Sequence, residues 1–505
     1  MYHKMMDSIE PFAEWLNLQT DAARTSLRTQ LPSWTSEEQT LLALQAKYKR
    51  MKEAMERAPA LFPEAQRIFR EMATLEPQLQ TLMKRDSKVA EESYNELLFF
   101  KPLLQPLNFV PFLLAIWSAI RVYILPGLSL LLPILTLIAP YLILRFVFQI
   151  PITFENYMNM LHAMVSGNMA TVMNPSAVVS APTNLLKQVG IVLVTFIQGI
   201  LQPYWSHTHL HSIDSIIQEH GEKVIRFHEL YDSLERLLEP HGFTFFRSPM
   251  PSIRTERDAA ARMMLQPTYF QMALKYVGSL EVLMTIANKK DIHPVHWVRS
   301  PHPVFRIQDS FDFQVPEGNR KTISAKLDVH RHALLTGPNK GGKSTVLRAL
   351  SFSALLAHTY GCALGQLTAT PFHHLFVCLT PDDLPGAKSR FEREVEFTAG
   401  TLVPSQPILV FIDELYHSTN PPDALRSCEM YCGQLWKKNN VVSVISTHLF
   451  ELVKQAPSSI QRLCCPATLD DKGIIQFQYR LEKGMCTVSS VDMLLKKNGL
   501  IARLG

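Results

Sequence analysis

The chain has 505 residues, enough for two to four domains and a sizeable core. Its net charge of +5 is compatible with nucleic acid or an anionic membrane and diagnostic of neither. Seven cysteines, an odd number, all lie between Cys362 and Cys486 with no C-x-x-C zinc spacing, so they read as free thiols in a reducing compartment rather than as a disulfide scaffold or zinc site. Met1–Glu10 is polar, and no cleavable signal peptide is expected there.

Residues 1–101 read as an N-terminal helical region. Ser33-Trp34-Thr35-Ser36-Glu37-Glu38 offers a cap with acidic first-turn residues, and Leu41, Leu42, Leu44 and Tyr48 follow at helical spacing. Pro63 and Pro77 predict breaks. Lys47-Tyr48-Lys49-Arg50-Met51-Lys52 reads either as a phosphate-backbone contact or as a solvated helix face.

Residues 102–209 form the expected membrane domain. From Pro102 to Ile213 there are four charges, Arg121, Arg145, Glu155 and Lys187, where the chain's 19% average predicts about 21. Leu107–Leu125 and Leu128–Phe148 are each long enough to span a bilayer, and Pro126-Gly127 between them predicts a hairpin turn. Arg121 and Arg145 near the far ends would snorkel to the interface. A third segment, residues 189–204, ends in Gln202-Pro203-Tyr204-Trp205 and reads equally as re-entrant, spanning or buried. An even number of spans keeps both flanks on one side.

Residues 210–292 read as a helical arm. Ile213, Ile216, Ile217, Val224, Phe227 and Tyr231 fall on one stripe of a helix that Pro240-His241-Gly242 ends. A second helix, Thr255–Ala287, is bent or interrupted at Pro267.

Residues 293–505 carry the chemistry. Gly337-Pro338-Asn339-Lys340-Gly341-Gly342-Lys343-Ser344 fits G-x-x-x-x-G-K-[ST]. Glycines let successive backbone N–H groups face a polyphosphate, Lys343 adds charge at the β- and γ-phosphates, and the Ser344 hydroxyl suits Mg²⁺. Ala333-Leu334-Leu335 reads as a buried strand before the loop, and Ser344 onward as a helix whose N-terminus favours anions. Ile408–Ile412 is an uninterrupted apolar run, as in a central parallel strand, and ends in Asp413-Glu414. A carboxylate there reaches Mg²⁺, and its neighbour orients an attacking water. Val441–Ser446 repeats the pattern and ends in Thr447-His448. Three strands ending in phosphate, metal and water ligands predict an ATPase core, an α/β P-loop NTPase domain with a mostly parallel sheet.

TGPNKGGKST, DDLPGAKSRFERE (Asp382–Glu394), FIDELYHSTNPPDA (Phe411–Ala424) and STHLFEL (Ser446–Leu452) resemble, in order and spacing, the ATPase domain of the MutS mismatch-repair family. The likeness runs from Gly278 to about Leu500 and includes Ser300-Pro301-His302-Pro303, similar to the family's R-H-P segment. The resemblance implies that Gly337, Pro338, Asn339, Gly341, Gly342, Lys343, Ser344 and Thr345 bind ATP, and that Ser344 and Asp413 hold Mg²⁺. It implies Glu414 as general base, with His448 positioning the water or reporting on the γ-phosphate. It implies that Ser389 and Asp423 cross to the opposing subunit of a homodimer with composite sites. Three segments depart from the family. Lys340 replaces the methionine of G-P-N-M-G-G-K. Ser389-Arg390-Phe391-Glu392-Arg393-Glu394-Val395 replaces S-T-F-M-V-E-M, and Asp413-Glu414-Leu415-Tyr416-His417-Ser418-Thr419 replaces D-E-x-G-R-G-T. The family's mismatch wedge is F-x-E. Phe62-Pro63-Glu64 and Phe227-His228-Glu229 match its letters, yet both fall in or beside predicted helices.

The leading expectation is an integral membrane, MutS-like ATPase with the ATPase domain in the cytoplasm or an equivalent reducing compartment, acting on double-stranded DNA. An ATP-driven membrane switch that leaves DNA alone is the first alternative. An ABC-type transporter component is the second, although its L-S-G-G-Q segment is missing.

Overall fold

The computed structural model describes residues 7–84, 94–165, 199, 201–245, 255–379, 389–469 and 475–488. They fall into two units. The first is Met1–Ala73, Leu234–Phe245 and Ala273–Gly505; the second is Thr74–Ser233 and Phe246–Met272. In chain order the helices begin with α1 (Ile9–Leu16), α2 (Asp21–Gln30), α3 (Glu38–Arg57) and α4 (Leu61–Lys84). Then come α5 (Pro111–Ala119), α6 (Leu125–Leu142), α7 (Phe154–Val165), α8 (Gln202–Leu238), α9 (Glu256–Leu265) and α10 (Pro267–Asn288). Pro267 opens α10, as its missing N–H allows at a first helical position, whereas Pro77 lies inside α4 and does not break it.

The first unit is built on a six-stranded sheet. The strands in chain order are β1 (Ile292–Pro294), β2 (His296–Trp297), β3 (Phe305–Ser310), β4 (Ile323–Leu327), β5 (His332–Thr336), β6 (Cys362–Leu364), β7 (Gln366–Ala369), β8 (His374–Cys378), β9 (Ile408–Ile412), β10 (Val441–Ser446), β11 (Gln461–Cys464), β12 (Ala467–Leu469), β13 (Ile475–Phe477) and β14 (Glu482–Lys483), and this sheet is made of β5, β8, β9, β10, β11 and β14. Their order is β14-β11-β5-β10-β9-β8, all parallel except the edge strand β14. All residues of β5, β9 and β10 are buried, in keeping with the unbroken apolar run of β9 and the mostly apolar sequences of the other two. Pairing register aligns the strand ends. Ser446 pairs with Leu335 and Ile445 with Ile412, so β5, β10 and β9 end together. The loops leaving their C-terminal ends therefore open at one sheet edge, where ligands of parallel sheets sit. Helix α11 (Lys343–Tyr360) follows β5 through the glycine loop and is buried over most of its length.

The N-terminal helices belong to this unit. Phe12 packs edge-on to Phe352 at 4.7 Å, and Trp34 stacks on His358 at 3.8 Å. Gly361, at φ +70°, lets α3 approach: a Cβ there would lie 2.3 Å from the Gln45 nitrogen. The Tyr48 hydroxyl and the Lys52 ammonium both donate to the Ile292 carbonyl, at 2.8 and 2.6 Å. Those two members of the basic cluster thus turn inward, away from any phosphate contact. Buried Glu281 on α10 accepts from the Thr20 N–H (3.2 Å) and hydroxyl (2.6 Å), tying α10 to the start of α2.

The second unit corrects the expected hairpin. Residues 111–147 form one continuous helical run: α5, a π turn Ile120–Ile124, α6 and a π turn Ile143–Val147. Pro126 and Gly127 lie inside it, in the first turn of α6. Proline lacks the N–H that would bond the carbonyl four residues back, Val122, and its ring crowds that carbonyl. The wider π turn relieves the crowding, and the His207 Nδ1–H donates to the Val122 carbonyl at 2.7 Å. The orphaned acceptor is satisfied, so no turn is needed. Among the described residues, one helix, Pro111–Leu131, is long and apolar enough to cross a membrane. The segment 189–204 lies mostly outside the described residues; its end, from Gln202, starts α8.

Candidate active site

The site forms where β5, β9 and β10 end. Gly337 leaves β5 at φ +153°, and a Cβ there would meet the Cys465 carbonyl oxygen at 2.9 Å. The Gly341 N–H closes a turn onto the Pro338 carbonyl at 3.0 Å, and Gly342, at φ +101°, starts α11. Pro338 is buried, whereas Asn339 and Lys340 are exposed at the loop's tip.

Lys343, the first residue of α11, is buried. Its Nζ donates to the Gly337 carbonyl at 3.1 Å and lies 3.4 Å from the Pro338 carbonyl. Burial pushes its pKa down, against the pull of the Glu414 and Asp413 carboxylates. Ser344 Oγ donates to Asp413 Oδ2. Ser446, the last residue of β10, donates from Oγ to Asp413 Oδ1 and accepts from the Glu414 N–H at 2.8 Å. That acceptor fixes Glu414 at φ +53°, a left-handed conformation disfavoured for glutamate. Glu414 Oε1 lies 3.2 Å from His448 Nε2, which is also 3.2 Å from Lys343 Nζ. The His448 hydrogen bond holds the Glu414 carboxyl below the usual carboxylate range, against partial burial. Lys343, Ser344, Asp413, Glu414 and His448 are thus assembled by three strand ends. Beside the loop lies a cavity of about 450 Å³ lined by Gly341, Gly342, Thr345, Arg320 and Tyr479 among others.

Residues 333–495 match the family model of MutS domain V. Over those residues the chain is similar to that domain. The match spans about a third of the chain, from β5 onward, and contains every site residue predicted from the motifs. The likeness read between Gly278 and His332 lies outside the matched residues.

Two of those residues, Ser389 and Asp423, make their bonds away from the strand ends. Ser389 caps the helix α12 (Arg390–Leu402): its hydroxyl accepts from the Glu392 N–H at 3.2 Å, and Glu392 accepts from the Ser389 N–H at 2.7 Å. Asp423 sits in the first turn of α13 (Pro421–Leu435), where its N–H donates to Asn420 Oδ1 at 3.1 Å. Much of the Asp382–Glu394 motif lies outside the described residues.

Sequence reasoning gave no role to Ser446, Arg320 or Tyr479. Ser446 had a signal, since a serine closing a buried, mostly apolar strand needs a polar partner. Arg320 and Tyr479 had none. They come from loops far apart in sequence. The matched stretch also departs at position 416, where the resemblance places the glycine of D-E-x-G-R-G-T. Here Tyr416 stands at φ +55° and is buried. Its hydroxyl shares a hydrogen bond with Thr398 of α12 at 2.6 Å, and its ring packs on Phe391. These contacts hold a conformation that glycine would adopt freely.

Proposed function

We propose that this chain is a membrane-anchored, MutS-like ATPase with a P-loop NTPase domain, and that ATP turnover drives a change in its helical regions. The observation that carries the reading is the convergence of Lys343, Ser344, Asp413, Glu414 and His448 on one sheet edge. The donor set fits ATP and Mg²⁺. Lys343 is held on carbonyls at the loop, and Ser344 and Asp413 are already paired as two oxygen donors. Bound Mg²⁺ would neutralise charge on the phosphate oxygens. Gly337, Pro338, Asn339, Gly341, Gly342 and Thr345 would line the phosphates, and the cavity beside Arg320 and Tyr479 has room for the rest of a nucleotide.

In this reading Glu414 is the general base. It is held ionised by His448 and oriented by its backbone bond to Ser446. It takes a proton from the attacking water as the water's oxygen joins the γ-phosphorus and the bond to the β-phosphate oxygen breaks. His448, between Lys343 and Glu414, positions that water. Ser389 and Asp423, engaged only locally within one chain, would complete the site of the opposing subunit in a homodimer.

Two readings of the output differ in partner. The family match supports a mismatch-repair type of protein and, with it, double-stranded DNA as ligand. A membrane-bound switch that leaves DNA alone is favoured by the two F-x-E matches. Phe227 is 2% exposed inside α8 and so is not free to wedge into a duplex, and Phe62 is half-buried in the first turn of α4. Duplex-DNA binding by the solubilised chain, measured between about 50 and 200 mM salt, separates them. Affinity that falls steeply with salt supports the first, and no binding at any salt supports the second.

A further inference from the structure

We infer that the lipid-facing part of this chain is the segment between Arg121 and Arg145, and that residues before 121 and after 202 lie on the same side of the bilayer. The inference rests on the membrane anchoring proposed above and adds where the bilayer sits and how the chain enters and leaves it.

The first part of the long helix is held by protein. Ser118 Oγ, buried, donates to Asp214 of α8 at 2.8 Å. Asp214 is also clasped by Arg257 through both carboxylate oxygens, at 2.8 and 2.7 Å. The Trp117 indole donates to the Glu96 carbonyl at 3.2 Å, and Arg121 pairs with the Glu96 carboxylate. A level with so many satisfied polar groups and ions is not the middle of a bilayer. Pro111–Leu131 therefore has the length of a span but not its placement.

Beyond Arg121 the character changes. The next charge is Arg145, so residues 122–144 are 23 uncharged positions, about 35 Å of helix at 1.5 Å per residue. The hydrocarbon core of a bilayer is about 30 Å. Within the segment Ile124, Leu125, Leu128, Leu131 and Leu135 are 42–57% exposed, a row that a water-facing helix would not carry. Aromatic residues mark both ends. Tyr123, Tyr204 and Trp205 are each more than half exposed at the entry level, and Tyr141 clusters with Phe154 and Tyr157 at the other. Arg145 lies over the Tyr141 ring at 5.8 Å and donates to the Tyr141 hydroxyl, so the charge that closes the segment is held by this aromatic cluster.

Sidedness follows from where the chain returns. The His207 Nδ1–H bonds the Val122 carbonyl, and Tyr123 lies against both His207 and His211, at 5.6 and 6.2 Å between ring centroids. The start of α8 thus stands at the level where the long helix leaves the protein. Helix α7 already turns back, with Phe154 and Tyr157 on Tyr141. A chain that goes out at Val122 and is back beside Val122 by His207 has crossed an even number of times.

The test adds single cysteines to the full chain, expressed in cells. The native cysteines provide a low background, because six are buried and Cys378 is half-buried. Leu103→Cys, Thr208→Cys, Leu128→Cys, Leu135→Cys and Phe148→Cys are labelled with a membrane-impermeant maleimide, on intact and on lysed cells, after an alkaline carbonate wash shows whether the protein stays with membranes. Cysteines at 103 and 208 are expected to label only after lysis. A cysteine at 148 should label on intact cells, and those at 128 and 135 only in detergent. Labelling of 103 and 208 from opposite sides overturns the sidedness. Free labelling of 128 and 135 in a membrane-retained protein overturns the placement while anchoring stands. Release of the chain by carbonate refutes anchoring itself.

Discussion

Ser446→Ala probes how the sheet edge aims its carboxylates. Ser446 is fully buried, donates to Asp413 Oδ1 and accepts from the Glu414 N–H at 2.8 Å. Alanine removes both bonds and leaves a part-buried N–H without its acceptor, at a residue held at φ +53°. A lost hydrogen bond with an unsatisfied partner costs about 1–3 kcal/mol, more when the partner is charged. If about 3 kcal/mol of this is expressed as misplacement of Glu414 in the transition state, kcat falls about 100-fold. In the proposed site the nucleotide is held by Lys343 and the loop, so KM should change less than about threefold. Ser446→Thr keeps the hydroxyl on a strand and should recover most of the rate. The assay is steady-state ATP hydrolysis by the solubilised chain, with thermal melting as a control for folding. A folded Ser446→Ala protein with wild-type kcat, or one whose only defect is in KM, would refute the argument.

His448→Ala removes the largest cause of the lowered Glu414 pKa, so the acid limb of kcat should move up towards the ordinary carboxylate value of 4.5 and the ratio of kcat at pH 5 to that at pH 7 should drop. Tyr416→Phe loses the hydroxyl bond to Thr398, whose own hydroxyl keeps the Glu394 carbonyl at 2.9 Å; urea unfolding should show a loss of about 1 kcal/mol. His332 is buried against Ser443 at 2.8 Å, and burial lowers its pKa from 6.5 to about 4. The unfolded chain takes up that proton near pH 6.5 and the fold only near 4, so stability is lost as pH falls through that window, by about 3 kcal/mol for this group. Denaturant midpoints at pH 7 and 4.5 should therefore differ less in His332→Gln than in the wild type.

The site was legible because its residues end consecutive apolar strands. Ile408–Ile412 followed by Asp413-Glu414 announces itself, and parallel pairing in register brings such ends together. Position 416 was not legible, since its left-handed backbone depends on Thr398 and Phe391 of another helix. The turn expected at Pro126-Gly127 was misread for the same kind of reason. Proline in a helix fails when it orphans a carbonyl, and only the distant His207 shows that the Val122 carbonyl is not orphaned. The docking of the N-terminal helices was equally hidden. It rests on Glu281, Tyr48 and the bare backbone of Gly361, none of which betrays a partner hundreds of residues away.

The proposed role of Glu414 as the base that turns over ATP at this sheet edge can be tested directly. The direct measurement is Mg²⁺-dependent ATP hydrolysis by the detergent-solubilised full chain, with and without duplex DNA, beside Glu414→Gln. The wild type should hydrolyse ATP, and the variant should still bind nucleotide but turn it over at least about 100-fold more slowly. Hydrolysis by Glu414→Gln at the wild-type rate would contradict that role.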